Sequence, residues 1–165
     1  MIRRALEVDL AAIARLNASV LELHAKNEPW AFRCPVGDRE ALAWFAGILK
    51  DPAVRFWVAE DDSGSLLGYL FAREVTAEAT WMRPSQHHLM LEHVVVDAAH
   101  RRCGIGHRLV SEFLAEAKRA HIPRTGLFTW SFNKDAHRFF HRFGFEAVHQ
   151  RMELAMPVRT EPDAR

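Results

Sequence analysis

Apolar and polar residues along this chain fall into short blocks whose period switches repeatedly between that of a strand and that of a helix. Residues 2–6 suit a short first strand. Asp9 is then placed to cap a helix with Ile13, Leu16, Val20 and Leu23 on one side, ending near Lys26. Asn27-Glu28-Pro29 and Pro35-Val36-Gly37 bracket a loop that carries Trp30 and Phe32. After it, Asp38 can cap a second helix that turns Leu42, Phe45 and Leu49 inward, and Asp51-Pro52 stops it. Residues 54–60 alternate in strand fashion, Asp61-Asp62-Ser63-Gly64 signals a turn, and residues 66 to about 76 form the return strand of a hairpin. A loop around Trp81-Met82-Arg83-Pro84 leads to a strand from about 88 to 96, and the following helix buries Ile105, Leu109, Phe113 and Ala117. Past Ile122-Pro123 the pattern predicts a strand over 126–130 and a helix with Ala136, Phe139, Phe140 and Phe143 on one side. Gly144 can end that helix in the left-handed conformation, and 145 to about 156 reads as a last strand. Length and alternation together predict one domain over 1–156 with a polar tail at 157–165.

The segment between the fourth strand and its helix carries the chemistry. After Val94-Val95-Val96-Asp97 comes a basic turn, Arg101-Arg102-Cys103-Gly104-Ile105-Gly106-His107, that opens an amphipathic helix. The first amides of a helix have no intrahelical acceptor, and the helix dipole places partial positive charge beside them, so this turn is shaped for an anion. A mononucleotide phosphate loop would need Lys-Ser/Thr after Gly106, where His107 and Arg108 stand. A dinucleotide turn would need a third glycine at the position of Leu109. Both readings fail, and Arg-x-x-Gly-x-Gly remains.

Charge and cysteine usage narrow the classes further. The net charge of +1 leaves no broad nucleic-acid footprint, and no apolar run reaches membrane-spanning length. Cys34 and Cys103 make no disulfide framework, so a reducing cytoplasm is expected. Of the ten histidines, His137 and His141 are four apart on a helix and could form half a metal site, with His87, His88 and His93 near a strand. No His-Glu-x-x-His and no zinc-spaced cysteine pair completes one, so no metal is expected.

With the turn, a second block downstream completes a recognisable pair: Asn133-Lys134-Asp135-Ala136-His137-Arg138-Phe139-Phe140-His141-Arg142-Phe143-Gly144-Phe145. At these residues the chain resembles the GNAT family of acetyl-CoA-dependent N-acetyltransferases, whose pyrophosphate turn is Gln/Arg-x-x-Gly-x-Gly/Ala and whose second block is Asn-x-x-Ala-x-x-Phe-Tyr-x-x-x-Gly-Phe. The resemblance is most specific over 92–146. It implies an α/β (α+β) GNAT fold: a mixed, mostly antiparallel central sheet of six to seven strands flanked by about four helices, with a splay between the fourth and fifth strands. It also implies transfer of the acetyl group of acetyl-CoA to a primary amine of a small molecule or an exposed peptide amine. A non-catalytic acyl-CoA-binding or sensing module of the same fold is the alternative.

The same resemblance distributes roles. Arg101, Arg102, Cys103, Gly104, Ile105, Gly106 and His107 would wrap the pyrophosphate, while the backbone of Val94, Val95 and Val96 would pair with the pantetheine arm as a missing strand would. Asn133 would contact that arm and Phe140 would flank the thiol. Glu92 is the candidate general base, since an ammonium must lose a proton before it can attack, and an amide near Val94 is a candidate oxyanion donor. One position departs from the family pattern: where many members carry a tyrosine that protonates the leaving thiolate, this chain has Phe140, and its one tyrosine is Tyr69. Ser131, His137, His141 or water could take that part, with water favoured. Trp30, Phe32 and Glu28 could line an acceptor pocket, although loop aromatics more often pack on a core. Trp81 and Met82 suit either a homodimer surface or the far wall of that pocket.

Overall fold

A computed structural model describes residues 1–156. The polar tail expected at 157–165 lies outside the described residues. Two compact units divide the chain, Met1–Phe132 and Asn133–Arg165.

In the first unit β1 (Ile2–Arg4) is followed by a single 3-10 turn and α1 (Leu10–Asn27). Then come α2 (Asp38–Lys50), β2 (Val54–Glu60), β3 (Leu66–Ala77), β4 (Gln86–Val96), α3 (Ile105–Arg119) and β5 (Arg124–Leu127). The sheet runs in the order β1-β2-β3-β4-β5. Every pairing is antiparallel except β4 with β5. Strand alternation splits the core in two. Phe56, Val58, Tyr69, Phe71 and Val95 meet Ile13 of α1 and Phe45 of α2 on one face. Their sequence neighbours Leu70 and Ala72 are buried on the other, which the apolar side of α3 covers with Ile105, Leu109, Val110 and Phe113.

Several local expectations change. Asp9 stands at the N-cap of α1, but its side chain makes no cap bond: its carboxylate accepts from the Leu6 amide at 2.8 Å and from Arg3 at 2.8 and 2.9 Å, fixing the turn before the helix. Asp38 is the first residue of α2 rather than its cap, and Gly37 stands at the cap. β5 begins two residues early and stops at Leu127, because Trp130 and Phe132 leave the ladder for ring contacts with α1 and the loop after it.

The larger correction concerns the strand count, which is five among the described residues rather than six or seven. Residues 145–156 form no strand, and Val148, Met152, Leu154 and Met156 are exposed. A period-two pattern states which face of a strand would be apolar; it does not supply the neighbour whose peptide groups complete a ladder. The second unit holds α4 (Lys134–His141), closed by Gly144 in the expected left-handed conformation at φ +85°. Among the described residues no helix is long and apolar enough to cross a membrane.

Candidate active site

Asp97 ends β4 and turns the chain, its Oδ1 accepting from the Ala99 amide at 2.8 Å. The backbone then takes two left-handed steps, at Arg102 (φ +67°) and Gly104 (φ +76°), before entering α3. A non-glycine residue in that conformation costs about 1–2 kcal/mol, so the turn is held by more than local preference. Among the described residues, the amides of Cys103, Gly104, Ile105 and Gly106 have no hydrogen-bond partner, and no side chain caps the helix. A Cβ placed on Gly104 would meet open space. Successive amides on alternating backbone hands, at the positive end of a helix, make an anion-binding concavity. Arg101 lies beside it, with its Nε 3.4 Å from the Val96 carbonyl to which it donates. Cys103 is exposed, its thiol 3.6 Å from the Arg101 carbonyl.

The edge of β4 next to this turn is open. β5 pairs only with His88, Leu89, Met90 and Leu91, so 92–96 have β3 on one side and no strand on the other. This is the splay expected between the fourth and fifth strands. The Asp97 amide donates to Leu67 of β3, and peptide groups alternate direction along a strand. Val95 therefore faces β3 with its N–H and C=O, while Val94 and Val96 present theirs to the open side. Of the three valines named from the sequence, the outer two turn their peptide groups to the open side; Val95 is committed to the ladder, with its side chain in the core.

A β-bulge marks the start of this open stretch. Phe71 pairs with His93 and Ala72 with Leu91, which leaves Glu92 as the extra residue. Its Oε1 accepts from Arg73 Nε at 2.9 Å, and Arg73 also binds Asp51 at the end of α2. The candidate base is thus exposed and tethered in an arginine-centred group.

His93, which the sequence reading placed only among histidines near a strand, is enclosed by rings. It stacks on Phe71 at 4.7 Å between centroids and lies 5.5 Å from Trp44 and 6.4 Å from Tyr69. Tyr69 donates its hydroxyl proton to Asn17 Oδ1 at 3.0 Å, and its oxygen is 3.4 Å from His93 Nδ1. Burial, reinforced by nearby His24, holds the His93 imidazole below the usual histidine range, at about 4. Burial also pushes the Tyr69 phenol far up, so it stays protonated. Beyond His93 the aromatic wall continues through His24 and Phe32 (4.9 Å), Phe32 and Trp130 (5.3 Å), and Trp130 and Trp30 (6.1 Å). Glu28 accepts from Trp30 Nε1 at 2.8 Å and so braces that ring. Trp30 and Phe32 were legible as loop aromatics. Trp44 was not, because it falls outside the helical stripe of Leu42, Phe45 and Leu49, and Trp130 was assigned to a strand.

The remaining candidates lie elsewhere. In the second unit, Asn133 caps α4, its Oδ1 accepting from the Ala136 amide at 3.1 Å, and Phe140 is buried against Phe139 and Phe145. Trp81 and Met82 are exposed. Among the described residues no three His, Cys, Asp or Glu side chains gather as metal ligands. An open hollow of about 510 Å³ sits at the start of α1, bordered by Arg3, Asp9, Arg15, Ser65 and Asp97. Its wall is the Arg3–Asp9 ion pair, and neither the glycine turn nor the aromatic wall reaches it.

The five-stranded mixed sheet thus opens between β4 and β5, with an anion-shaped turn at the opening. The sequence profile of the acetyltransferase (GNAT) family matches residues 17–145, and the chain belongs to that family. It is 26% identical over 111 residues to YwnH of Bacillus subtilis, whose name assigns it to the phosphinothricin acetyltransferases. That match spans 67% of this chain and 64% of the relative, less than two thirds of its length. Its fold is similar to that of a mutant form of the BH1408 protein from Bacillus halodurans (TM-score 0.88, 22% identity, 95% of this chain and 99% of the other). It is also similar in fold to aminoglycoside N-acetyltransferase AAC(6')-Iy in complex with CoA (TM-score 0.73, 17% identity, 96% of this chain and 95% of the other).

Proposed function

We propose that this protein is an N-acetyltransferase that moves the acetyl group of acetyl-CoA to a primary amine by direct attack. The observation that carries the reading is the junction of two backbone surfaces: the partnerless amides of 103–106 and the β4 edge that has no strand beside it at Val94 and Val96, where Arg101 meets only the Val96 carbonyl. The first suits a diphosphate and the second suits the amides of a pantetheine arm, and they adjoin in the order those groups have in coenzyme A. Arg101, Arg102 and His107 add cationic or polar character beside the diphosphate. Asn133 and Phe140 are carried in this proposal by the family resemblance alone.

The acceptor approaches from the α1–α2 face, where Trp30, Phe32, Trp44 and Trp130 form the wall, so we infer an amine borne on an apolar or aromatic body. Glu28 acts through Trp30, which it braces. Glu92, exposed at the bulge, takes the proton that the acceptor ammonium must lose, directly or through water, and the Val94 amide donates to the developing oxyanion. Two exposed thiols suit a reducing compartment, and the cytoplasm is the proposed location.

The test is thiol release from acetyl-CoA by the purified protein with phosphinothricin, an aminoglycoside, 2-phenylethylamine, spermidine and a short peptide with a free N-terminus. Amine-dependent release with a matching acetylated product is expected, strongest for the apolar amine. Calorimetric binding of acetyl-CoA without release for any acceptor would replace the reading with an acyl-CoA sensor, which Phe140 in place of tyrosine favours.

A further inference from the structure

Amine acetylation moves two protons, and the family pattern leaves the second without a carrier in this chain. The ammonium loses one proton to become a nucleophile. The nitrogen that has attacked the thioester carries another, which must leave as the C–S bond breaks, while the departing thiolate needs one. A phenylalanine at 140 has no proton to give.

We propose that His93 carries this second proton: its Nε2 accepts it from the attacking nitrogen as the N–C bond forms and delivers it to the thiolate sulfur as the C–S bond breaks. This assignment rests on the acetyltransferase reading. The atoms balance without another reactant, since an amine and a thioester become an amide and a thiol, and the imidazole returns to its starting form.

Geometry fixes which nitrogen does this. The only hydroxyl proton of Tyr69 is given to Asn17, so the Tyr69 oxygen is left to accept, and His93 Nδ1 must carry the hydrogen that reaches it. The lone pair then sits on Nε2, for which the described residues offer no hydrogen-bond donor. No buried side-chain nitrogen or oxygen among the described residues lacks a partner, so Nε2 opens onto accessible space rather than into the core. Asn17 and Tyr69 are positioning residues that select the tautomer. Phe71 stacks on the ring and Trp44 packs against it at a tilt. The bulge brings His93 to the first residues of the open β4 edge, directly after Glu92.

The surroundings suit a carrier rather than a reservoir. Facing His93 are Tyr69 from β3 and His24 from α1; α2 contributes Trp44, which does not titrate, and neighbouring Glu92 is bound to Arg73. With its acidity raised by burial, the ring is neutral at ordinary pH and its lone pair is available. Once formed, the imidazolium is far more acidic than a thiol of ordinary pKa, about 8.5, so it gives the proton up readily.

The experiment compares the wild-type chain with His93→Gln, His93→Ala and Tyr69→Phe, using 2-phenylethylamine as acceptor. Turnover, acetyl-CoA binding by calorimetry and melting temperature are read together. His93→Gln should lower kcat by about 10²-fold or more at every pH, with acetyl-CoA affinity and folding retained. Added imidazole should restore part of the activity of His93→Ala. Tyr69→Phe should lower kcat less and shift the His93 ring toward the Nε2–H tautomer in nitrogen-15 spectra. Wild-type turnover in His93→Gln would overturn the proposal while leaving the acetyltransferase reading intact. Turnover lost together with acetyl-CoA binding and melting temperature would reduce His93 to a structural residue. A wild-type protein that binds acetyl-CoA but acetylates none of the amine panel would remove the reading and this proposal together.

Discussion

Gly68 lies where β3, β4 and α3 meet, and replacing it with alanine tests how tightly the cofactor edge is built. A Cβ there would stand 2.6 Å from the Val95 carbonyl oxygen, 3.3 Å from Val96 Cα and 3.5 Å from Ile105 Cγ2. The first contact is with backbone, so no side-chain rotation relieves it. Relief needs the Val95 peptide to retreat by about half an ångström or more, loosening its ladder with Tyr69. Overpacking of this kind costs about 1–3 kcal/mol. For a chain of this size each kcal/mol lowers the melting temperature by roughly 2–4 °C, giving a fall of about 2–12 °C. Displacing the peptide beside Val96 should also weaken acetyl-CoA binding. Gly47→Ala is the internal control: it lies in α2, a Cβ there meets nothing within 4 Å, and relief from glycine's chain entropy should stabilise by about 0.4–1 kcal/mol. Calorimetric melts of the two variants should move in opposite directions. A Gly68→Ala protein that melts with the wild type would refute the close packing on which the placement of the β4 edge depends.

Gly104→Glu puts a carboxylate on the left-handed residue of the anion turn, and acetyl-CoA binding by calorimetry should fall below detection; retained affinity would remove the turn as the diphosphate site. Glu92→Gln should lower turnover most near neutral pH, where the acceptor is an ammonium, and least at high pH, where it is already deprotonated; a pH–rate profile of unchanged shape would exclude Glu92 as the first proton acceptor. The third outcome is in stability: with folded His93 near 4 against 6.5 unfolded, the unfolded chain binds the extra proton between those values. Stability is therefore full above about pH 6.5 and falls by about 3 kcal/mol as pH drops to about 4, and denaturant titrations of His93→Gln should show a correspondingly flatter profile.

Much of the architecture could be read from the residue pattern because it rests on local chemistry. The hairpin around Asp61 and Gly64, the helix from Ile105 and the glycine turn each announce themselves through period, punctuation or backbone freedom. The end of the chain was harder, because the alternation at 145–156 has the form of a strand and only a neighbouring strand could make it one. Asp9 showed a related limit. An acidic residue before an apolar stripe looks like a cap, yet Arg3, six residues earlier in the chain, claims its carboxylate. The reacting face was the least legible part. Trp44 lies off the inward stripe of its helix, and the tautomer of His93 depends on a tyrosine and an asparagine that are 24 and 52 residues apart from their partners. Spacing along a sequence carries no trace of such contacts.

The unpaired residue at Glu92 also governs the phase of the strand around it. Leu91 and His93 are two apart, and in a regular strand both would point the same way. Here the inserted residue reverses the phase, so Leu91 shares the α3 face with Ala72 while His93 and Val95 share the opposite face with Phe71 and Tyr69. Deleting position 92 would make Leu91 and His93 adjacent and leave them on opposite faces, with Ala72–Leu91 and Phe71–His93 as consecutive rungs of a regular ladder. What the extra residue supplies is the bend and added twist of a bulged strand, which set the angle at which His93 and the open edge are presented. Removing it should therefore change the aim of His93 while Leu91 and Val95 keep the faces they now occupy.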